Sequence, residues 1–160
     1  MQFDAVIGRR QFSKVFAASL AVASSLARAK DTALPVPTSL PQAAFAAKAK
    51  GQPLVLLISL PGCVYCELVR RSYLIPLLAE EGVQAWQLDV TNNSSPLIGF
   101  DGKATTAAQQ AKAWKATFTP TVVFLGSQGQ ELAERLVGIA VPDFFGAFLT
   151  ERLATARKAL

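Results

Sequence analysis

The hydrophobic pattern along the chain switches repeatedly between a strand-like and a helix-like rhythm. Leu54-Val55-Leu56-Leu57-Ile58 is a continuous apolar run behind Pro53, the mark of a strand buried on both faces and so central in its sheet. Pro61-Gly62 ends that stretch. From Cys63 the apolar positions recur at Cys66, Val69, Tyr73 and Leu77, which predicts a helix over 63–81, kinked or broken at Pro76 and closed by Gly82. Residues 83–90 alternate as a strand, and the polar, turn-rich segment 91–103 with Asp101-Gly102 predicts a surface loop. A helix is expected over 105–117, then a β-hairpin of 121–125 and 131–137 around Ser127-Gln128-Gly129. A last amphipathic helix over 142–160 runs through Phe145, Phe148, Leu149 and Leu153. Ahead of the first strand, an alanine-rich helix over 42–50 starts at Pro41 and stops at Gly51. Residues 30–40, with Pro35, Pro37 and Ser39, read as an extended leader onto a domain spanning 41–160. The order α-β-α-β-α-β-β-α demands a parallel pair across the first crossover and antiparallel strands in the hairpin, hence an α/β fold with a mixed central sheet flanked by helices.

Composition narrows the chemistry. The 160 residues suit one domain, and 51% hydrophobic against 17% charged residues excludes intrinsic disorder. With no histidine, Ser-His-Asp and Cys-His catalysis and imidazole-containing zinc sites are excluded; two cysteines and one methionine leave little for a metal. The net charge of +5 is concentrated at one end: Arg9, Arg10, Lys14 and Arg28 stand against Asp4 alone in residues 1–29. The small excess left elsewhere makes no nucleic-acid surface. Those same residues 1–29 read as a cleavable export signal, with a basic stretch, an apolar run at 15–27 and the small-x-small site Ala27-Arg28-Ala29. The run is shorter than the roughly 20 residues a membrane-spanning helix needs, so no stable membrane anchor is expected. Gly8-Arg9-Arg10-Gln11-Phe12-Ser13-Lys14 resembles the twin-arginine export motif, with Ser13 where leucine is usual. The Sec route stays open; both routes lead to a bacterial periplasm, where disulfides persist.

Cys63-Val64-Tyr65-Cys66 stands where the buried strand turns into a helix. Backbone N–H groups and the helix dipole at that position favour a thiolate, lowering a cysteine pKa from about 8.5 towards 7. The thiolate fraction at neutral pH then rises from about 3% to about half. A structural disulfide is the competing reading, yet closing so small a ring contributes roughly 2 kcal/mol against roughly 4.7 for a 100-residue loop. Half a zinc site is the other, and the chain has no further cysteine or histidine to complete four ligands.

Thr119-Pro120 directly precedes the hairpin strand, an unusual place for proline unless the bond is cis or the strand lies at an edge. Taken with the CxxC, with Gly138 after the last strand and with the Phe-rich terminal helix, the pattern over 41–160 resembles the thioredoxin superfamily. Leu88-Asp89-Val90, Phe100-Asp101-Gly102-Lys103 and Phe118-Thr119-Pro120-Thr121 look most like periplasmic thioredoxin-like proteins, including those associated with sulfur oxidation. The resemblance implies a thioredoxin fold with a cis-proline loop facing the CxxC, and a thiol:disulfide oxidoreductase that requires no cofactor. Cys63 would be the nucleophile and Cys66 the resolving thiol. Thr119 and Pro120 would hold the partner polypeptide, with Leu60, Pro61, Tyr65 and Phe118 as an apolar rim. Its partners would be exported proteins bearing disulfides or thiols, and a membrane electron donor.

The chain departs from cytosolic thioredoxin at informative places. Gly62 stands where thioredoxin has tryptophan, Val64-Tyr65 replaces Gly-Pro, and Leu57 occupies the site of a buried aspartate that serves the resolving cysteine. No proton acceptor is thereby identified; Glu67 sits beside Cys66, although a carboxylate in a first helical turn is usually a solvated capping charge. Lys103, Lys112 and Lys115 read as a solvated face, and Trp86, Trp114 and Tyr73 as core or its edge. A reductase is the expected direction. A thiol oxidase or disulfide isomerase, and a thioredoxin-fold binding module without turnover, remain as alternatives.

Overall fold

The computed structural model describes residues 33–160; the export signal expected at 1–29 and the start of the leader lie outside the described residues. In chain order the elements are α1 (Leu40–Lys48), β1 (Leu54–Ser59), α2 (Val64–Val69), a π-helical turn (Arg70–Leu74), α3 (Ile75–Glu80), β2 (Gln84–Asp89), β3 (Leu97–Ile98), β4 (Ala104–Thr105), α4 (Ala107–Ala113), β5 (Thr121–Leu125), β6 (Glu131–Val137) and α5 (Pro142–Lys158).

Four strands form one sheet in the order β2-β1-β5-β6, with β1 parallel to β2 and the other pairs antiparallel. β1 is central, and every one of its residues is buried. Strand alternation divides its apolar run between two cores. Val55 and Leu57 face Val69, Leu74, Phe145, Leu149 and Leu153 from the α2–α3 and α5 side. Leu54, Leu56 and Ile58 face Leu40, Ala44, Ala107 and Ala111 from α1 and α4. The result is a mixed sheet covered on both faces by helices, as the hydrophobic rhythm requires.

Three local details differ from expectation. The helix after the CxxC is interrupted ahead of Pro76 rather than at it. It widens into the π turn just before it, where the Ile75 N–H donates to the Arg70 carbonyl, and Pro76 falls in the first turn of α3. A proline removes one N–H from the helical ladder, and a register change ahead of it lets the helix continue. The loop expected over 91–103 carries β3, which pairs with β4, and Ile98 also bridges Ser39 of the leader. Thr38 and Pro35 carbonyls accept from Ile98 and Gln87 N–H groups at 3.0 and 2.9 Å, so the described end of the leader is laid against the domain. α4 stops at Ala113 rather than 117 because Lys115 adopts φ 54° and Ala116 N–H closes back on the Ala111 carbonyl at 2.8 Å.

Leu56 is fully buried against both α1 and α4. Leu56→Ala is therefore expected to lower stability by about 2–5 kcal/mol. Urea unfolding should show a lower midpoint at unchanged slope.

Candidate active site

The end of β1 aims the chain out of the sheet at Leu60, and a tight turn at Pro61-Gly62 delivers Cys63 to the start of α2. Gly62 sits at φ 75°, a conformation that residues with a Cβ adopt at a cost, and Cys63 N–H closes the turn on the Leu60 carbonyl at 3.2 Å. Cys63 is the N-cap residue of α2: its Sγ accepts from the Cys66 N–H at 3.1 Å. The two cysteines are joined by a disulfide, with Cα atoms 5.2 Å apart. Their environments are unlike. Cys63 is partly exposed, whereas Cys66, one turn on, is fully buried.

The Thr119–Pro120 loop meets the CxxC from across the sheet. Its peptide bond is cis, and β5 lies between β1 and β6, so the proline does not mark an edge strand. The Thr119 hydroxyl stands 4.0 Å from Cys63 Sγ, bringing together residues 56 positions apart. Pro120 is buried and its carbonyl accepts from Gly138 N–H at 2.7 Å. Phe118 lies over Gly138, where a Cβ would come within 3.2 Å of the ring. Tyr65 and Phe118 are 57% and 65% exposed, and Leu60, Pro61 and Val64 are exposed as well. The residues expected to contact a partner thus border the disulfide on two sides, from the CxxC turn and from the loop before β5.

Leu57, fully buried and in register with Gln87 of β2, packs in the core with Val69 and Leu74 and brings no carboxylate to the α2 side of the sheet. Glu67 is less free than a capping charge: it is ion-paired with Arg70 and lies 3.0 Å from Arg71 Nε. The hydrogen bond from Arg70, reinforced by the charges of Arg70 and Arg71, holds its carboxyl below the usual value of 4.5, against a smaller opposing effect of burial. Arg70 itself escaped the sequence reading. The available signal was its place four residues after Cys66 on the inward helical face. Gln87, which accepts from Arg70 Nε at 2.7 Å, was equally unmarked as a half-buried position in an alternating strand. Tyr73 packs on Phe145 at 5.0 Å, and Trp86 and Trp114 pack at the edge of the second core, as expected.

Fold and site together define a thioredoxin-fold protein built around a CxxC disulfide, an arrangement suited to thiol–disulfide exchange. The sequence profile of the thioredoxin-like domain matches residues 40–152, and the chain belongs to that family. A poplar thioredoxin h mutant is similar at TM-score 0.53 and 17% identity, covering 81% of this chain and 89% of that one. The DsbH oxidoreductase is similar at TM-score 0.50 and 19% identity, covering 79% and 88%. The periplasmic thioredoxin SoxS from Paracoccus pantotrophus is 25% identical at TM-score 0.42, covering 64% and 97%. No curated protein matches the chain.

A carboxyl whose folded pKa is depressed stabilises the fold above its unfolded value, and that contribution is lost as pH falls through the folded value. At neutral pH Glu67→Gln should cost about 0.2–1 kcal/mol, the range of a half-exposed, salt-screened pair. Urea midpoints of the two proteins should converge at pH values well below 4.5, the ordinary value of the carboxyl.

Proposed function

We propose that the protein is a periplasmic thiol:disulfide oxidoreductase that reduces disulfides of exported partner proteins through Cys63 and Cys66. The observation that carries this reading is the asymmetry of the pair: a partly exposed Sγ at a helix N-terminus, backed by a fully buried one. In the reduced protein the Cys63 thiolate attacks a partner disulfide, forming a mixed disulfide and expelling one partner sulfur as a thiolate, which takes up a proton. Cys66, as a thiolate, then attacks Cys63 Sγ. The Cys63–Cys66 bond forms, the second partner sulfur leaves and is protonated, and two electrons have passed to the partner. Thr119 and Pro120 hold the partner's extended backbone beside Cys63, and Leu60, Pro61, Tyr65 and Phe118 receive its apolar side chains. A membrane dithiol donor would return the pair to the reduced state. Export rests on the signal read at residues 1–29; among the described residues no helix is long and apolar enough to cross a membrane.

The opposite direction, thiol oxidation or isomerisation, is favoured by one feature, the buried Arg70 cation four residues beyond Cys66, because a positive charge stabilises the reduced pair's thiolate. Equilibration of the protein with graded glutathione buffers separates the two. A potential near about −270 mV supports the reductase, and one of about −120 to −180 mV reverses the electron flow.

Insulin reduction by the wild type and its loss in Cys63→Ala is the expected activity result; equal values would leave only a binding module. Cys66→Ser should accumulate a mixed disulfide through Cys63 with exported proteins, and failure to trap any would sink the assignment of nucleophile and resolver.

A further inference from the structure

Among the described residues Arg70 is the one buried charged residue, at 9% exposure. A guanidinium withdrawn from water is destabilising unless its donors are paired, and here the fold supplies two anchors. Nε donates to Gln87 Oε1 of β2 at 2.7 Å, and Nη1 bonds the Glu67 carboxylate. The helix determines what lies next to it. Arg70 N–H donates to the Cys66 carbonyl, so the two residues are one turn apart. Residues at that spacing share a face with Cβ atoms about 5–6 Å apart, and the later side chain leans back towards the helix N-terminus. The bond to Glu67, the residue after Cys66, draws the guanidinium back along the first turn. Both Cys66 and Arg70 face inward. Glu67, by contrast, is 44% exposed and shared with Arg71, so its negative charge is screened by water whereas the positive charge of Arg70 acts in the low-dielectric interior.

We propose that Arg70 is a positioning residue for the resolving step, stabilising the Cys66 thiolate by its buried charge in an interior where Leu57 and Gln87 provide no base. The inference rests on the oxidoreductase reading. The proton of Cys66 passes to water before the attack rather than to a fixed carboxylate. The Cys66 thiolate then forms its bond to Cys63 Sγ as the bond from Cys63 to the partner sulfur breaks, and that sulfur leaves as a thiolate and is protonated by water. Because the disulfide is uncharged and the reduced pair shares a thiolate between Cys63 and Cys66 on the first turn of α2, Arg70 favours the reduced form and Glu67 opposes it.

The test is the thiol–disulfide equilibrium of the full chain in glutathione buffers, read without any partner protein. Arg70→Gln should move the equilibrium constant about tenfold towards the disulfide, a potential about 30 mV lower. Arg70→Lys should retain most of the wild-type value. Glu67→Gln should move the equilibrium the other way, towards the dithiol. A side chain that only supports packing would not produce shifts of opposite sign from the two partners of one ion pair. An equilibrium within twofold of wild type in Arg70→Gln, or shifts of the same sign in Arg70→Gln and Glu67→Gln, overturns the proposal. If Arg70→Gln fails to fold, Arg70→Met is read in its place: a shift towards the disulfide sustains the proposal and a constant within twofold of wild type ends it. Insulin reduction by the wild type distinguishes the two levels. Its absence removes the oxidoreductase reading, whereas its presence with unmoved equilibria removes only the role of Arg70.

Discussion

The structure depends on one junction, the passage of a strand buried on both faces into the N-terminus of a helix. β1 has no solvent-facing residue, so its position is set by packing from two cores at once, and a one-residue shift along its neighbours would swap every side chain from one core to the other. That rigidity is transmitted through the turn at Gly62 to Cys63, whose sulfur replaces a side-chain oxygen as the cap of α2. A helix start leaves N–H groups without partners, and one of them is satisfied here by Sγ. The chemistry of the cysteine and the termination of the helix are the same interaction.

The helix that begins at Cys63 carries Cys66 on its inward, fully buried face, over the strands of the sheet. Leu57 and Gln87 lie side by side across β1 and β2 without a charge between them. The charge enters from the helix instead, on Arg70, and is neutralised outward by Glu67 and Arg71. The π turn begins at Arg70, so the residue that anchors the helix to Gln87 is also where its register widens ahead of Pro76. On the proposed reading, the interior charge that acts on the thiolate is a cation on the helix, with Leu57 on the strand providing no proton acceptor.

The exposed surface around the disulfide is assembled from segments far apart in sequence. Leu60, Val64 and Tyr65 belong to the CxxC turn, whereas Phe118, Thr119 and Pro120 come from the segment before β5. They meet because β5 pairs antiparallel with β1, with Ile58 opposite Thr121, which brings the start of one strand to the end of the other. Gly138 completes the corner: it follows the last residue of β6, which pairs with Thr121, and its φ of 68° is a conformation that residues with a Cβ adopt at a cost.

Much of this was legible in residue order alone. The apolar run at 54–58, the hairpin and the helix carrying the CxxC are local patterns whose period is dictated by burial, and the strand–turn–helix placement of Cys63 and Cys66 follows from them. The π turn was hidden because Pro76 signals a lost hydrogen bond without saying where the ladder adjusts, and β3 was hidden because two residues hold too little periodicity to register. The approach of Thr119 to Cys63 and the anchoring of Arg70 on Gln87 were decided by tertiary structure, across separations of 56 and 17 residues. Local sequence determines which face a side chain occupies; only the packing of helix on sheet determines what it finds there, because the partner is chosen by strand order and register rather than by neighbours in the chain.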